Sequence, residues 1–169
     1  MALLSATGNR SLKIAVLADT HIPKRARGLP AKALDIIEKS DMLIHAGDIL
    51  TGDFLDYLSK MLPLFAVLGN NDIGLDLPEK LEIEVDGVKL AIIHDSGDSK
   101  GRAGRMKRLF PQADAVIFGH SHIPMNSLEE GILLFNPGSA TDRRRQPKHT
   151  MGTLDIASGS ISGTIVELD

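Results

Sequence analysis

Five short apolar runs, each ending in carboxylate, amide or imidazole groups, constrain this chain more than any other feature. Leu12–Ala18 ends in Asp19-Thr20-His21, and Met42–Ile44 leads into His45-Ala46-Gly47-Asp48. Leu64–Leu68 ends in Gly69-Asn70-Asn71-Asp72, Leu90–Ile93 in His94, and Ala115–Phe118 in Gly119-His120-Ser121-His122. The runs are three to seven residues long, rich in Val, Ile and Leu, and do not alternate strictly with polar residues. Such runs suit strands buried on both faces.

Helical patterns lie between several of these runs. Pro30 suits a first helical position, with Leu34 and Ile37 following on one face. Thr51 suits the cap of a helix carrying Phe54, Leu58 and Met61. Ser99 is expected to cap another, carrying Ala103, Met106 and Phe110. Strands alternating with helices indicate an α/β layered fold. The rest is more β-like: Leu81, Ile83 and Val85 alternate with Glu82 and Glu84. Asp86-Gly87 then makes a two-residue hairpin turn, since both positions tolerate positive φ. Ile132–Phe135 reads as a further strand, and Thr153–Ile156 with Ile161–Leu168 as a second hairpin. Residues 1–10 read as a flexible leader and 11–169 as one domain, in line with 169 residues in all.

In open α/β sheets, ligands bind outside the carboxyl ends of the strands. The five polar segments can therefore converge on one crevice. Imidazole with carboxylate and carboxamide oxygens suits borderline divalent ions such as Mn²⁺, Fe²⁺, Zn²⁺ or Ni²⁺. So many donors exceed what one ion uses. Two ions sharing a carboxylate account for them, and such pairs clamp the attacking and leaving oxygens of an in-line displacement. Cysteine is absent, which removes disulfides, thiolate metal sites and cysteine nucleophiles.

Asp19-x-His21, Gly47-Asp48, Gly69-Asn70-x-Asp72, His94 and Gly119-His120-x-His122, in this order, resemble the calcineurin-like metallophosphoesterases. Asn136-Pro137-Gly138-Ser139 and the short chain resemble their small bacterial and archaeal phosphodiesterase branch. The resemblance implies two packed, mixed β-sheets flanked by helices. It implies a first metal on Asp19, His21, Asp48 and His122, and a second on Asp48, Asn70, His94 and His120. It also implies two divalent ions, Mn²⁺ foremost with Fe, Ni or Zn as alternatives. The reaction implied is hydrolysis of a small phosphate ester, a diester rather than a monoester, by in-line attack of a hydroxide bridging the ions.

Two positions depart from that pattern. Many relatives place a His acid where this chain has Asn71, which cannot protonate a leaving group. Leaving groups of low pKa, or a proton from water, are then expected. Small relatives often carry His-Gly-His where this chain reads His94-Asp95-Ser96. Asn71 and Asp72 are the candidate catalytic pair beside the metal ligands, with Asp72 orienting a neighbour by hydrogen bonding. Lys24, Arg25 and Arg27 follow the first motif closely, and Arg25 is the candidate substrate contact. Arg143-Arg144-Arg145 reads either as a solvated charge run or as a phosphate clamp. His45 and His149 are expected to be structural and surface residues respectively. Asn136–Ser139 is expected to be a turn whose backbone supports the site.

The net charge of −3 and an aromatic content of 4% disfavour a nucleic-acid polymer as partner. No apolar stretch approaches the roughly 20 residues of a membrane span, and a cytoplasmic location is expected. Self-association stays open. A competing class is a non-catalytic scaffold of the same fold. Ile22-Pro23 and Gly28-Leu29-Pro30-Ala31-Lys32 look similar to the metallophosphoesterase-like retromer subunit. That relative lacks part of the histidine set, and this chain carries it in full.

Overall fold

The apolar runs form strands whose two faces are both buried, each against a different layer. The structure is a computed structural model that describes residues 2–4 and 11–169. In chain order its strands are β1 (Ala2–Leu4), β2 (Leu12–Leu17), β3 (Met42–His45), β4 (Leu64–Ala66), β5 (Lys80–Val85) and β6 (Val88–Ile93). They continue with β7 (Ala115–Ile117), β8 (Met125–Glu129), β9 (Ile132–Asn136), β10 (Thr150–Ala157) and β11 (Ser160–Glu167). The helices are α1 (Ala31–Glu38), α2 (Gly52–Met61) and α3 (Arg102–Leu109). Of the expected leader, Ala2–Leu4 run parallel to Ile83–Val85 of β5, and the other residues lie outside the described ones.

The strands make two mixed sheets, ordered β1-β5-β6-β7-β9-β8 and β11-β10-β2-β3-β4. Between the sheets pack Ile14, Val16 and Ile44 from one and Leu90, Ile92, Ile117 and Phe135 from the other. The alternate residues of the same strands face outward. Ala15, Leu17 and Leu43 meet Ile37 of α1 and Phe54 and Leu58 of α2. Ala91, Val116 and Leu134 meet Ala103 and Met106 of α3. A helix–sheet–sheet–helix sandwich explains why the runs lack alternation: every position has an apolar layer to face. Each fully buried Leu or Ile contributes about 1.5–3 kcal/mol.

Local signals behave largely as their chemistry requires. The Thr51 side chain accepts from Phe54 N–H at 3.2 Å and caps α2. Asp86 and Gly87 take φ of 47° and 82° and join β5 to β6 as an antiparallel hairpin. The Ser99 cap is a correction. Gly101, left-handed at φ 73°, occupies the cap of α3, and Ser99 contributes only its carbonyl, 3.4 Å from Arg102 N. On α1 the buried residues are Ala33 and Ile37, with Leu34 half-buried.

β2, β3 and β4 run parallel, as do β6, β7 and β9. Their carboxyl ends deliver all five polar segments to one end of the sandwich. No helix among the described residues is long and apolar enough to cross a membrane.

Candidate metal centre

Two buried sets of donors meet at the strand ends: Asp19, His21 and His122, and Asp19, Asp48 and His94. Asp19 follows β2 and is fully buried. Its Oδ1 lies 3.7 Å from His122 Nε2 and 3.8 Å from His94 Nε2. Asp48 follows β3, and its Oδ2 lies 3.3 Å from His21 Nε2 and 3.5 Å from His94 Nε2. Asn70 Oδ1 completes the group, 2.9 Å from His94 Nε2 and 3.2 Å from His120 Nδ1. All seven expected ligands thus gather at one place. Asp19 belongs to both buried sets, and Asp48 touches an imidazole of each.

Close approach depends on the glycines between the strand ends and the ligands. A Cβ on Gly69 would lie 2.1 Å from Asp48 Oδ1 and 2.2 Å from Asp48 N. One on Gly47 would lie 2.5 Å from His94 Nδ1. Gly69 and Gly47 are therefore where two backbones must nearly touch for the donors to meet.

The backbone is strained at the donors. Asp19, His21, Asp48, His120 and His122 adopt φ of 53°, 47°, 62°, 73° and 61°. Left-handed non-glycine residues cost on the order of 1–3 kcal/mol each and cluster at functional sites. Surrounding hydrogen bonds hold these turns. Asp19 N donates to Gly47 O at 3.0 Å, and His21 N to Asp48 O at 3.1 Å. Ser139 Oγ donates to Asp19 O at 2.8 Å. Asn136 Nδ2 donates to Gly119 O at 3.2 Å. The Asn136–Ser139 segment thus supports the site, but through the side chains of Asn136 and Ser139 rather than through its own backbone as expected, because their donors satisfy the carbonyls of Gly119 and Asp19.

Tautomers are set from outside the cluster. A carbonyl only accepts, so His94 Nδ1, 2.7 Å from Ala46 O, must carry a proton. His122 Nδ1 faces the Asp142 carbonyl in the same way. In its neutral form each ring then turns an unprotonated Nε2 toward the carboxylates, the arrangement typical of metal-ligating imidazoles. His45 is different. Gly47 N–H donates to its Nδ1 at 3.1 Å, and its Nε2 lies 2.9 Å from Thr20 Oγ1. Burial lowers its pKa to about 3, so it stays neutral and structural.

The charges oppose one another. Burial raises the Asp19 carboxyl to about 7. Burial would raise Asp48 as well, but the facing imidazoles of His21 and His94 and the two hydrogen bonds from Asn71 overcome it and hold that carboxyl well below the usual range. Burial would lower His94, and the two carboxylates raise it instead. Both Asp19 oxygens and the Nε2 atoms of His21 and His122 are buried without a hydrogen-bond partner. Buried orphaned acceptors normally cost about 1–3 kcal/mol each. Carboxylate oxygens facing imidazole lone pairs are reconciled by a cation between them, so the donor set fits divalent metal.

The remaining candidates lie around this cluster. Asn71 donates from N and Nδ2 to the two Asp48 oxygens, at 2.9 and 2.8 Å. Asp72 accepts three backbone N–H groups: Asp48 at 3.0 Å, Gly69 at 2.8 Å and Leu50 at 2.7 Å. It ties the β3 turn to the β4 turn. Asp72→Asn leaves one acceptor oxygen for three donors, and is expected to weaken metal affinity about 10–100-fold, read by competition with a fluorescent chelator. Arg25 is exposed, and its Nε lies 3.5 Å from Asp142 Oδ2. His149 pairs with Asp169 at the surface, 3.0 Å away. Sequence reasoning did not find the carbonyls of Ala46 and Asp142, because carbonyl acceptors leave no mark on residue type.

Residues 12–159 match the model of the calcineurin-like phosphoesterase superfamily domain. The chain belongs to that superfamily. A probable metallophosphoesterase of Methanocaldococcus jannaschii is 35% identical over 144 residues, 83% of this chain and 74% of the relative. Vacuolar protein sorting 29 of Cryptosporidium parvum superposes with a TM-score of 0.79 at 17% identity, covering 93% of this chain and 97% of that one. A solved archaeal phosphodiesterase gives 0.69 at 23% identity, covering 92% and 100%. These last two likenesses concern the fold. The chain is thus a probable metallophosphoesterase, and its two buried Asp/His triads are consistent with a dinuclear metal site.

Proposed function

We propose that this chain is a phosphodiesterase whose Asp19, His21, Asp48, Asn70, His94, His120 and His122 hold two divalent cations, Mn²⁺ foremost. The carrying observation is the set of orphaned buried donors, both Asp19 oxygens and Nε2 of His21 and His122. Bound divalent cations supply a lowered pKa for water and positive charge for the phosphoryl oxygens. The chain's own part is to fix the donors. Ala46 and Asp142 orient His94 and His122, Asn71 holds both Asp48 oxygens, and Asp72 locks the turn beneath them. A cavity of about 420 Å³ lined by Asn70, His94 and Asp95 borders the centre and suits a small substrate. Preference for diesters is supported by the likeness to the archaeal phosphodiesterase.

Asn71 has no acidic proton to offer, and its amide is engaged with Asp48. The leaving alcohol must therefore take its proton from solvent. Positioned acids typically contribute about 10²–10⁴-fold, so kcat/KM is expected to fall steeply as leaving-group pKa rises across a series of aryl phosphodiesters. Chelator-treated protein is expected to be inactive, with turnover restored by Mn²⁺. Metal-independent turnover, or none with any divalent ion, overturns the reading and favours a non-catalytic scaffold.

A further inference from the structure

The three successive arginines at 143–145 have no role in the reading above. With Ser121, Ile123 and Gln146 they line a cavity of about 380 Å³, within the roughly 300–1,000 Å³ of small-molecule sites. Ser121 and Ile123 flank His122 in the chain. Asp142, whose carbonyl holds the His122 ring, immediately precedes Arg143. The cavity therefore abuts the His122 side of the metal centre, and Arg144 is close enough for its charge to act on that imidazole. The cavity on the His94 side has the opposite character, lined by Asp72, Glu79 and Asp95. The centre thus has one basic and one acidic flank.

The basic flank is not neutralised by the protein. Arg143 NH1 donates to Gln146 O at 2.6 Å and Gln146 N to Arg143 O at 2.9 Å, which closes the turn. Arg144 sits at its tip with φ 50°. Asp142, the nearby carboxylate, is paired with Arg25. Arg144 and Arg145 are exposed and have no ion pair or hydrogen bond among the described residues. Adjacent guanidinium groups repel one another, and a phosphate relieves that repulsion while matching their forked donors.

We infer that Arg144 and Arg145 form an anion subsite that binds a second phosphate carried on one arm of the phosphodiester substrate. The substrate class rests on the phosphodiesterase reading; the anion subsite does not. The acidic flank would receive the other, uncharged arm.

Two measurements test this. First, thymidine 3′-phosphate and thymidine are titrated into chelator-treated protein and followed by the arginine Nε–Hε resonances. The nucleotide is expected to shift those of Arg144 and Arg145, and thymidine to leave them in place. An Arg144→Gln, Arg145→Gln double variant is expected to bind the nucleotide at least about tenfold more weakly. Second, the Mn²⁺-loaded wild type is given thymidine 5′-(p-nitrophenyl phosphate) with and without a 3′-phosphate. The 3′-phosphate is expected to raise kcat/KM about 10–100-fold, and that ratio is expected to collapse below about threefold in the double variant. Absent resonance shifts, or equal binding by the variant, overturn the subsite. Hydrolysis indifferent to the 3′-phosphate overturns the substrate class and leaves the phosphodiesterase reading standing. Binding without hydrolysis of either diester overturns the phosphodiesterase reading and leaves the subsite standing.

Discussion

Asp48→Asn is expected to lower metal-dependent turnover by about 10³-fold or more while the chain stays folded. The carboxylate is the junction of the centre. One oxygen lies 3.3 Å from His21 Nε2 and 3.5 Å from His94 Nε2, and both oxygens accept from Asn71. An amide of the same shape removes the charge and turns one acceptor into a donor facing the Asn71 amide. Charge stabilisation of this kind is worth several kcal/mol in the transition state, and each 1.36 kcal/mol is tenfold in rate. The fold is spared because Asp72 grips the Asp48 backbone N–H rather than its side chain. Steady-state kinetics at saturating Mn²⁺, with bound metal counted by elemental analysis, check both halves. Wild-type turnover in a variant holding its full metal complement contradicts the assignment.

The strand ends were legible because burial on both faces forces an unbroken apolar run, so a polar residue at its close must mark a boundary. Leu12–Leu17 with Asp19 and Val88–Ile93 with His94 follow that logic directly. β8 was not legible. Its sequence, Met125-Asn126-Ser127-Leu128-Glu129, pairs with β9 at a sheet edge and remains largely exposed, so nothing selects for apolar residues. The Glu130-Gly131 turn that follows, with φ of 51° and 80°, carried the only local signal. β1 lacked one altogether, since three residues pairing with β5 are too few to show a period.

The centre shows the same division. Side-chain chemistry identified the ligands, because imidazole, carboxylate and carboxamide are scarce at strand ends without a task. Backbone geometry did not show. His21, His120 and His122 are left-handed, a conformation uncommon in any non-glycine residue even though histidine is among the enriched types. What holds them is long-range: Ser139 and Asn136 lie more than a hundred residues and 17 residues, respectively, from the backbone carbonyls they bind. The acid-to-base gradient across the rim was equally hidden. Arg143–Arg145 read the same in sequence whether they face water or a cavity beside His122.

Asp19→Asn is expected to abolish metal uptake and yet stabilise the metal-free protein. Asp19 is fully buried, and its oxygens have no donor. Burial raises its pKa from 3.8 to about 7. Below pH 3.8 the folded and unfolded chains both hold the proton, so the group contributes nothing. As pH rises, the unfolded chain releases the proton first, and the folded chain is penalised until it too ionises near 7. The penalty is thus full above about pH 7. One pKa unit corresponds to about 1.36 kcal/mol, which gives a penalty on the order of 4 kcal/mol at pH 8 and less than half of that at pH 5. The neutral amide escapes it and brings an N–H₂ donor to the Nε2 atoms of His122 and His94. His45 and His122, both lowered by burial, move wild-type stability the other way over the same range. The readout is therefore the difference between variant and wild type, by urea unfolding in chelator at pH 5 and pH 8. A gain that grows with pH is expected, together with loss of bound metal. A variant no more stable than wild type at pH 8 would show that Asp19 is not held at a cost that only a cation removes.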